Sequence, residues 1–533
     1  MNVKSPCIRY SFLTFLIAGL GNFQAVFADD VLQSSGPSVF DTREQDWRNG
    51  ALVYQVLVDR FAPAKDIQTK RHFYTTPKTL RQWDETPKSG SYLEDAGVWS
   101  HEIEFWGGDL SSLRGRLDYV NELGIDVLYL NPIHTGFTNH KYDSLDFESV
   151  SPEFGSREDV RLLADDLHQM DMRLVLDGVF NHMGRNSDKF QQASSDPDSK
   201  YRDWFYFGEQ YPGGARVWAQ AQNLPELNLE NKAVRKHIYA DSDSVVQQYL
   251  KQGIDGWRLD VAFDIGYQFL GELTRAAHAA KPGSLVVGEI WNYPAGWFPS
   301  LDAVMNFTAR EIIWQLVLGK LEPGSAAQML DRMISDAGIE PMLKSWMVLD
   351  NHDTPRLKNM MPETWQQKMA QVLQFTLPGS PNLYYGTELG MTGGGDPEMR
   401  APMRWDLVDG SNETLAWTRK LIEMRKQQRA LRVGNFRLVT AGKLLAFERY
   451  TDHVEDTVIV IINPTSLEVS ESVMTANSSL MNWTTMTDLL GRNEQTIFVQ
   501  SSLMHLNVPA RSFMVLKPDV QAKGGYTPYK RVP

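Results

Sequence analysis

A chain of 533 residues is longer than one compact core ordinarily fills, so two or three domains are expected. Hydrophobic residues at 42% and charged residues at 22% exclude wholesale disorder, a collagen-like repeat and a polytopic membrane protein. With 53 basic against 66 acidic residues the net charge is −13, and such a surface repels phosphate backbones, so nucleic acid is not an expected partner.

Residues 1–28 read as a secretory signal peptide. Lys4 and Arg9 precede an apolar run from Ser11 to Leu20, and Val26-Phe27-Ala28 offers small residues at the cleavage positions. The run is short for a membrane span, so no membrane attachment is expected after cleavage near Ala28. Cys7, the one cysteine, would leave with this segment, and the mature chain needs no disulfide. The expected location is periplasmic or secreted.

Between residues 50 and 390, within an expected catalytic domain of residues 29–430, a unit recurs: a short apolar run, a polar loop, then a stretch of helical periodicity. The runs are Leu52–Val58, Val127–Ile133, Arg173–Phe180, Gly256–Ala262, Leu285–Trp291, Asp302–Phe307, Ser345–Asn351 and Asn382–Glu388. Their near-continuous apolarity suits parallel strands buried on both faces. Helices are expected at Leu110–Leu123, Arg157–Gln169, Lys232–Gln252 and Trp365–Thr376. Eight strand–helix units predict an α/β fold, a (β/α)8 TIM barrel. Two connections are long, residues 62–105 after the first strand and residues 183–230 after the third. The second is long enough for a small inserted domain, and both fall on the face where such barrels keep their chemistry. Residues 431–520 turn β-rich, with Leu444–Arg449, Thr457–Ile462 and Ser512–Leu516 as strands of an antiparallel C-terminal domain. A tail of residues 521–533 follows.

Charged residues gather late in the barrel strands: Asp177 in the third, Arg258 and Asp260 in the fourth, Glu289 in the fifth, His352 and Asp353 in the seventh, and His182 just past the third. Charges aimed into a barrel mouth are costly unless they pair or serve a reaction. One ionised and one protonated carboxyl flanking a bond is what glycoside hydrolysis needs. Arg258, two positions before Asp260 on the same strand face, can hold that carboxylate anionic. Glu289, among Val286, Val287, Ile290 and Trp291, has apolar neighbours of the kind that keep an acid protonated.

The chain resembles the α-amylase family of glycoside hydrolases, close to its cyclomaltodextrinase and neopullulanase branch. The likeness runs from Val53-Tyr54-Gln55 and Asp59-Arg60-Phe61 through Gly107-Gly108-Asp109-Leu110, Leu130-Asn131-Pro132-Ile133 and Asn139-His140-Lys141-Tyr142-Asp143 to Tyr384-Tyr385-Gly386 and Met391-Thr392-Gly393-Gly394. The resemblance implies Asp260 as nucleophile, Glu289 as acid/base and Asp353 as the third acid. It implies Arg258, His182 and His352 around the glucose at the cleavage point, Tyr142 stacking on it, Asp143 supporting Tyr142, and Asp177 pairing with Arg258. Trp291 is a candidate sugar platform on the leaving-group side, and Trp83, Tyr92 and Trp99 are candidate lining residues. It further implies retention of configuration, an α-glucan oligosaccharide or polysaccharide substrate, and no cofactor for the chemistry. A transglycosylase or isomerase using the same intermediate is the alternative within that chemistry. A catalytically silent binder is the alternative outside it, although all three acids are present.

Two stretches depart from the family. After the nucleophile stand Phe263 and Asp264, where typical relatives carry Lys-His and the cyclodextrin-active branch Asn-Glu. Glu226 stands where the neopullulanase branch has Lys, so the resemblance leaves both α-1,4 and α-1,6 bonds open as targets. Asn181 occupies a position that ligates calcium in relatives, but one oxygen donor makes no site. The metal site stays unknown, and a structural Ca2+ lacks a full ligand set. That branch's N-terminal β domain is missing from the sequence, which makes an open cleft and a monomer the expectation.

Overall fold

The computed structural model describes residues 36–491 and 495–533. The signal peptide expected at residues 1–28 lies outside them. Eight parallel strands close a barrel: β1 (Val53–Val56), β2 (Val127–Leu130), β3 (Arg173–Gly178), β4 (Gly256–Leu259), β5 (Leu285–Ile290), β6 (Ala303–Asn306), β7 (Trp346–Val348) and β8 (Ser380–Tyr384). Neighbours in space are neighbours in sequence, and β1 closes the ring against both β2 and β8.

The continuous apolar runs hide a period of two. Val53, Val127, Tyr129, Val175, Leu285, Val287, Met305, Trp346 and Val348 form the inner core of the barrel. Their strand neighbours Tyr54, Leu128, Leu174, Leu176, Trp257, Val286 and Ile290 pack outward under the helices. Continuing the inner series towards the strand C-termini gives Gln55, Asn131, Asp177, Arg258, Asp260 and Glu289. Apolar inward positions thus give way to polar ones at one end of the barrel, and that end becomes the site.

The helices follow the expected spans with two breaks. Residues 110–123 split into Leu110–Arg114 and Leu117–Leu123 at Gly115. The stretch read as Lys232–Gln252 is three pieces: Lys232–Arg235, a π-turn over Lys236–Ala240, and Val245–Lys251. Asp241-Ser242-Asp243-Ser244 separates them, since such side chains compete with the backbone and favour helix ends. The eighth strand begins and ends earlier than its apolar run, because Gly386 turns the chain at a φ of 82°.

The long connection after β1 carries two short strand pairs, Thr79–Leu80 with Glu104–Phe105 and Tyr92–Leu93 with Val98–Trp99. Its return is anchored by Asp59, which is fully buried. The Asp59 carboxylate accepts from Arg60 Nε at 2.7 Å, from the Trp106 amide at 2.9 Å and from the Gly107 amide at 2.9 Å. The connection after β3 holds a helix at Asp188–Ser195 and isolated bridges that include His182–Glu226 and Val217–Pro225.

The C-terminal strands are β9 (Asn435–Leu438), β10 (Leu445–Tyr450), β11 (Val458–Asn463), β12 (Val469–Met474), β13 (Thr485–Asp488), β14 (Ile497–Phe498), β15 (Leu503–Val508) and β16 (Ser512–Pro518). They form an antiparallel sheet in the order β9-β10-β11-β16-β13-β14 and a β12–β15 pair. On β11, Val458, Val460 and Ile462 join the barrel's outer core, while Ile459 and Ile461 join a second core with β12 and β15. Both faces of that strand are therefore covered, which explains its unbroken apolarity.

Replacing Asp59 with alanine would leave a buried guanidinium without its carboxylate partner and two amides without their acceptor. Asp59→Ala is expected to lower the unfolding free energy by about 3–5 kcal/mol, read from urea denaturation; an unchanged midpoint would show that the loop is held elsewhere.

Candidate active site

At the C-terminal ends of the strands opens a cavity of about 680 Å3. Asp260, Glu289, Asp353, Tyr142, His182, His352 and Trp291 all line it, and Arg258 lies beneath them, fully buried. Asp177 and Arg258 are register partners on β3 and β4, so their side chains share the inner face. Arg258 Nη1 donates to Asp177 at 2.8 Å and to Asp260 Oδ1 at 3.0 Å. Its Nη2 lies 2.8 Å from Glu289 Oε2, an ion pair by proximity rather than a directed hydrogen bond. One guanidinium thus meets three carboxylates.

Burial drives the Asp260 carboxyl well above its ordinary range; Arg258 opposes this, while Glu289, Asp177 and Asp353 add to it. Burial also raises Asp177, against Arg258 and the hydroxyls of Tyr129 and Tyr142. A single cation cannot neutralise this group, and the site resists full ionisation.

The setting expected of Glu289 is corrected by its contacts. Besides Arg258, its carboxylate accepts from the Val261 amide at 3.0 Å and from Trp291 Nε1 at 2.8 Å. Of the apolar neighbours read from the strand, Val286 and Ile290 pack outward, Val287 lies a layer deeper in the barrel's inner core, and Trp291 stands edge-on with a donor. Val261 reaches Glu289 from a left-handed conformation, φ 39° and ψ 46°, which is strained for a β-branched residue and sits directly after Asp260.

Tyr142 is tied into the floor. Its hydroxyl donates to Asp177 at 2.9 Å and accepts from Asn131 Nδ2 at 2.9 Å. It also meets His352 Nε2 at 2.5 Å, with the two rings parallel and their centroids 5.2 Å apart. Gln55 Nε2 lies 2.9 Å from His352 Nδ1, so that nitrogen accepts and Nε2 carries the proton. His352 Nε2 is also 3.0 Å from Asp353. His182 Nε2 is 4.0 Å from Asp260, and its ring stacks on Trp218. Burial holds His182 down to about 4 and pushes His352 well below the usual imidazole range, so both are neutral near neutrality.

Asp143 does not line the cavity with the other substrate-binding candidates. It is buried, accepting from the amides of Phe137 and Thr138 at 3.2 Å, and so shapes the loop that carries Tyr142. Trp291 is 46% exposed and lies flat on Phe307, centroids 3.8 Å apart. Tyr92 and Trp99 line the cavity, whereas Trp83 is packed down with its Nε1 on the Met403 carbonyl. Sequence reasoning missed Arg400 and Trp218. Arg400 reaches Asp353 at 3.4 Å and the His352 carbonyl at 2.9 Å from the loop after β8. That loop's position after a barrel strand was the available signal.

The residues around Asn181 do not fit a calcium ion. The Asn181 carbonyl accepts from the Leu227 amide, its side-chain amide faces His182, and Glu226 pairs with Arg216. Among the described residues no group of three His, Cys, Asp or Glu could hold a metal.

The family model described as "Alpha amylase, catalytic domain" matches residues 55–433. The chain belongs to the α-amylase family. It is a glycoside hydrolase of that type, and the hydrolysis needs no cofactor. A cyclomaltodextrinase of Geobacillus thermopakistaniensis is 34% identical over 436 residues, 78% of this chain and 69% of that protein. The ligand-free structure of a cyclic α-maltosyl-(1→6)-maltose hydrolase from Arthrobacter globiformis superposes with a TM-score of 0.73 at 27% identity, covering 89% of this chain and 100% of that one. An intracellular maltogenic amylase of Bacillus subtilis is 33% identical over 400 residues, 72% of this chain and 63% of that protein. This last relative corrects the reading of a periplasmic or secreted protein: this family branch includes intracellular members, and residues 1–28 have no described structure to set against that.

The buried histidines give a pH dependence of definite sign. Below the unfolded imidazole value of about 6.5 the unfolded chain binds a proton that folded His182 refuses until about 4. His182 therefore costs stability as the pH falls through that window, while the raised carboxyls act the opposite way. His182→Asn removes the first effect alone. Between pH 7 and pH 5 the variant is expected to keep about 2 kcal/mol more stability than the wild type keeps, measured by urea unfolding at both pH values; equal losses would contradict a buried neutral ring.

Proposed function

We propose that this chain hydrolyses α-1,4-glucosidic bonds in malto-oligosaccharides, cyclodextrins or starch fragments by double displacement with retention of configuration. The observation that carries this is Arg258 touching Asp260 and Glu289 together, at 3.0 and 2.8 Å, on the floor of one open cavity. Carboxyls on one guanidinium suit the short separation, about 5–5.5 Å, of retaining enzymes. The names of the relatives support the substrate class.

Asp260, oriented by Arg258, attacks the anomeric carbon while Glu289 gives its proton to the glycosidic oxygen. The leaving sugar departs and the glucosyl unit is esterified to Asp260. Glu289, now a carboxylate, takes a proton from water as the water attacks the same carbon, which frees Asp260 and restores the acid. Arg258 orients Asp260 and Glu289 from one buried cation that Asp177 also holds, while Asp353 is met by Arg400. Asp353, His352 and His182 bind sugar hydroxyls, with Tyr142 beneath the ring.

A second outcome of the same intermediate is transfer to a sugar. The exposed face of Trp291, whose edge is tied to Glu289, gives an acceptor ring somewhere to stack beside the acid/base.

Proton NMR of maltoheptaose digestion tests the mechanism. α-Configured products are expected first, with activity falling at least about a thousandfold in Asp260→Asn and Glu289→Gln. β-Products appearing first would exclude retention. Longer oligosaccharides among the products would assign the flux to transfer.

A further inference from the structure

We infer that Asp264 is a positioning residue: it latches Trp218 across the cavity mouth and thereby holds the loop 217–225 as one wall of the sugar site. This rests on the glucan-hydrolase reading above and concerns a residue at which the chain departs from the family's usual pairs.

The run from Trp218 to Leu224 lines the cavity without interruption. At its base the loop is well held. Val217 and Pro225 form a bridge, the Trp218 amide donates to the Leu224 carbonyl at 3.0 Å, and Arg216 pairs with Glu226 at 2.5 Å. The Arg185 amide adds a bond to the Asn223 carbonyl at 2.8 Å. The tip differs. Ala219 and Gln220 are both left-handed, with φ of 45° and 67°, and both are exposed. Consecutive non-glycine residues persist there only when something outside the turn fixes it.

Trp218 supplies that fixture. One face of its indole stacks on His182, centroids 5.5 Å apart, and its Nε1 donates to Asp264 Oδ2 at 3.1 Å. His182 in turn is 4.0 Å from Asp260. Asp264 sits on the single helical turn Ala262–Ile265 that follows Asp260. The bond therefore ties the loop after β3 to the turn after β4, four residues beyond Asp260. Phe263, beside Asp264 and also lining the cavity, is 36% exposed. Without an acceptor the indole N–H must turn to water, the tip can relax to right-handed conformations, and His182 loses its cover.

Four variants test the latch: Asp264→Ala, Asp264→Asn, Trp218→Ala and the double alanine. Asp264→Ala is expected to lower kcat/KM on maltoheptaose about fivefold, chiefly through KM, because the wall must be ordered again on binding. Asp264→Asn keeps an acceptor oxygen and should stay within about twofold of wild type. In the double variant the Asp264 change should add nothing to Trp218→Ala. Full activity in Asp264→Ala, or effects that multiply in the double variant, would overturn the proposal. Amide hydrogen exchange over residues 216–226 reads the latch without substrate. Faster exchange in both alanine variants but not in Asp264→Asn supports it, and unchanged exchange sinks it. Chains that show the exchange pattern yet cleave no glucan would leave the latch standing and remove the glucan reading instead.

Discussion

A guanidinium with no exposure at the centre of a barrel is the constraint from which the site follows. Arg258 cannot be left there alone, since an unpaired buried charge is among the costliest features a fold can carry. Asp177 answers it from the neighbouring strand at the same register, and Asp260 and Glu289 answer it from above. Three acids around one base overshoot neutrality. Burial and the neighbouring carboxylates raise Asp260, and burial raises Asp177, both against the pull of Arg258. The ion pairing that holds the barrel mouth together also shifts the protonation of its carboxyls.

The backbone is bent to serve it. Directly after Asp260 the chain enters a left-handed turn at Val261, a residue with no intrinsic reason to be there. The strain is met by the bond it permits, from the Val261 amide to Glu289, which links the two strands that carry Asp260 and Glu289. Asp59 plays a comparable part at the rim, where three donors on one carboxylate fix the return of the long loop that brings Tyr92 and Trp99 to the cavity.

Most of the barrel was legible in the sequence because its strands are short apolar runs and its helices keep a clear period. The acids were legible because charges at the ends of such runs have no packing explanation. What could not be read depends on distance in sequence. That Glu289 is ringed by donors needed the turn at Val261 and the indole edge of Trp291, neither of which periodicity reveals. Asp143 sits next to Tyr142 in the chain yet faces the loop's own amides, since a one-residue step in a turn changes direction completely. Arg400 and Trp218 come from loops with no repeating pattern, and only folding shows which of their polar residues turn inward. The helix break at residues 241–244 was visible in its Asp and Ser content, but the flanking apolar period concealed it.

The histidines complete the electrostatics by staying neutral. His352 accepts from Gln55 through Nδ1 and presents Nε2–H towards Tyr142 and Asp353, so it offers a donor to the cavity without adding a charge. His182, shielded under Trp218, is likewise uncharged near neutrality. Two imidazolium ions in these places would supply the positive charge that Arg258 alone does not. The buried carboxyls would then ionise more readily. Covering the histidines therefore bears on the electrostatics of the site as well as on packing, with Trp218 stacked on His182.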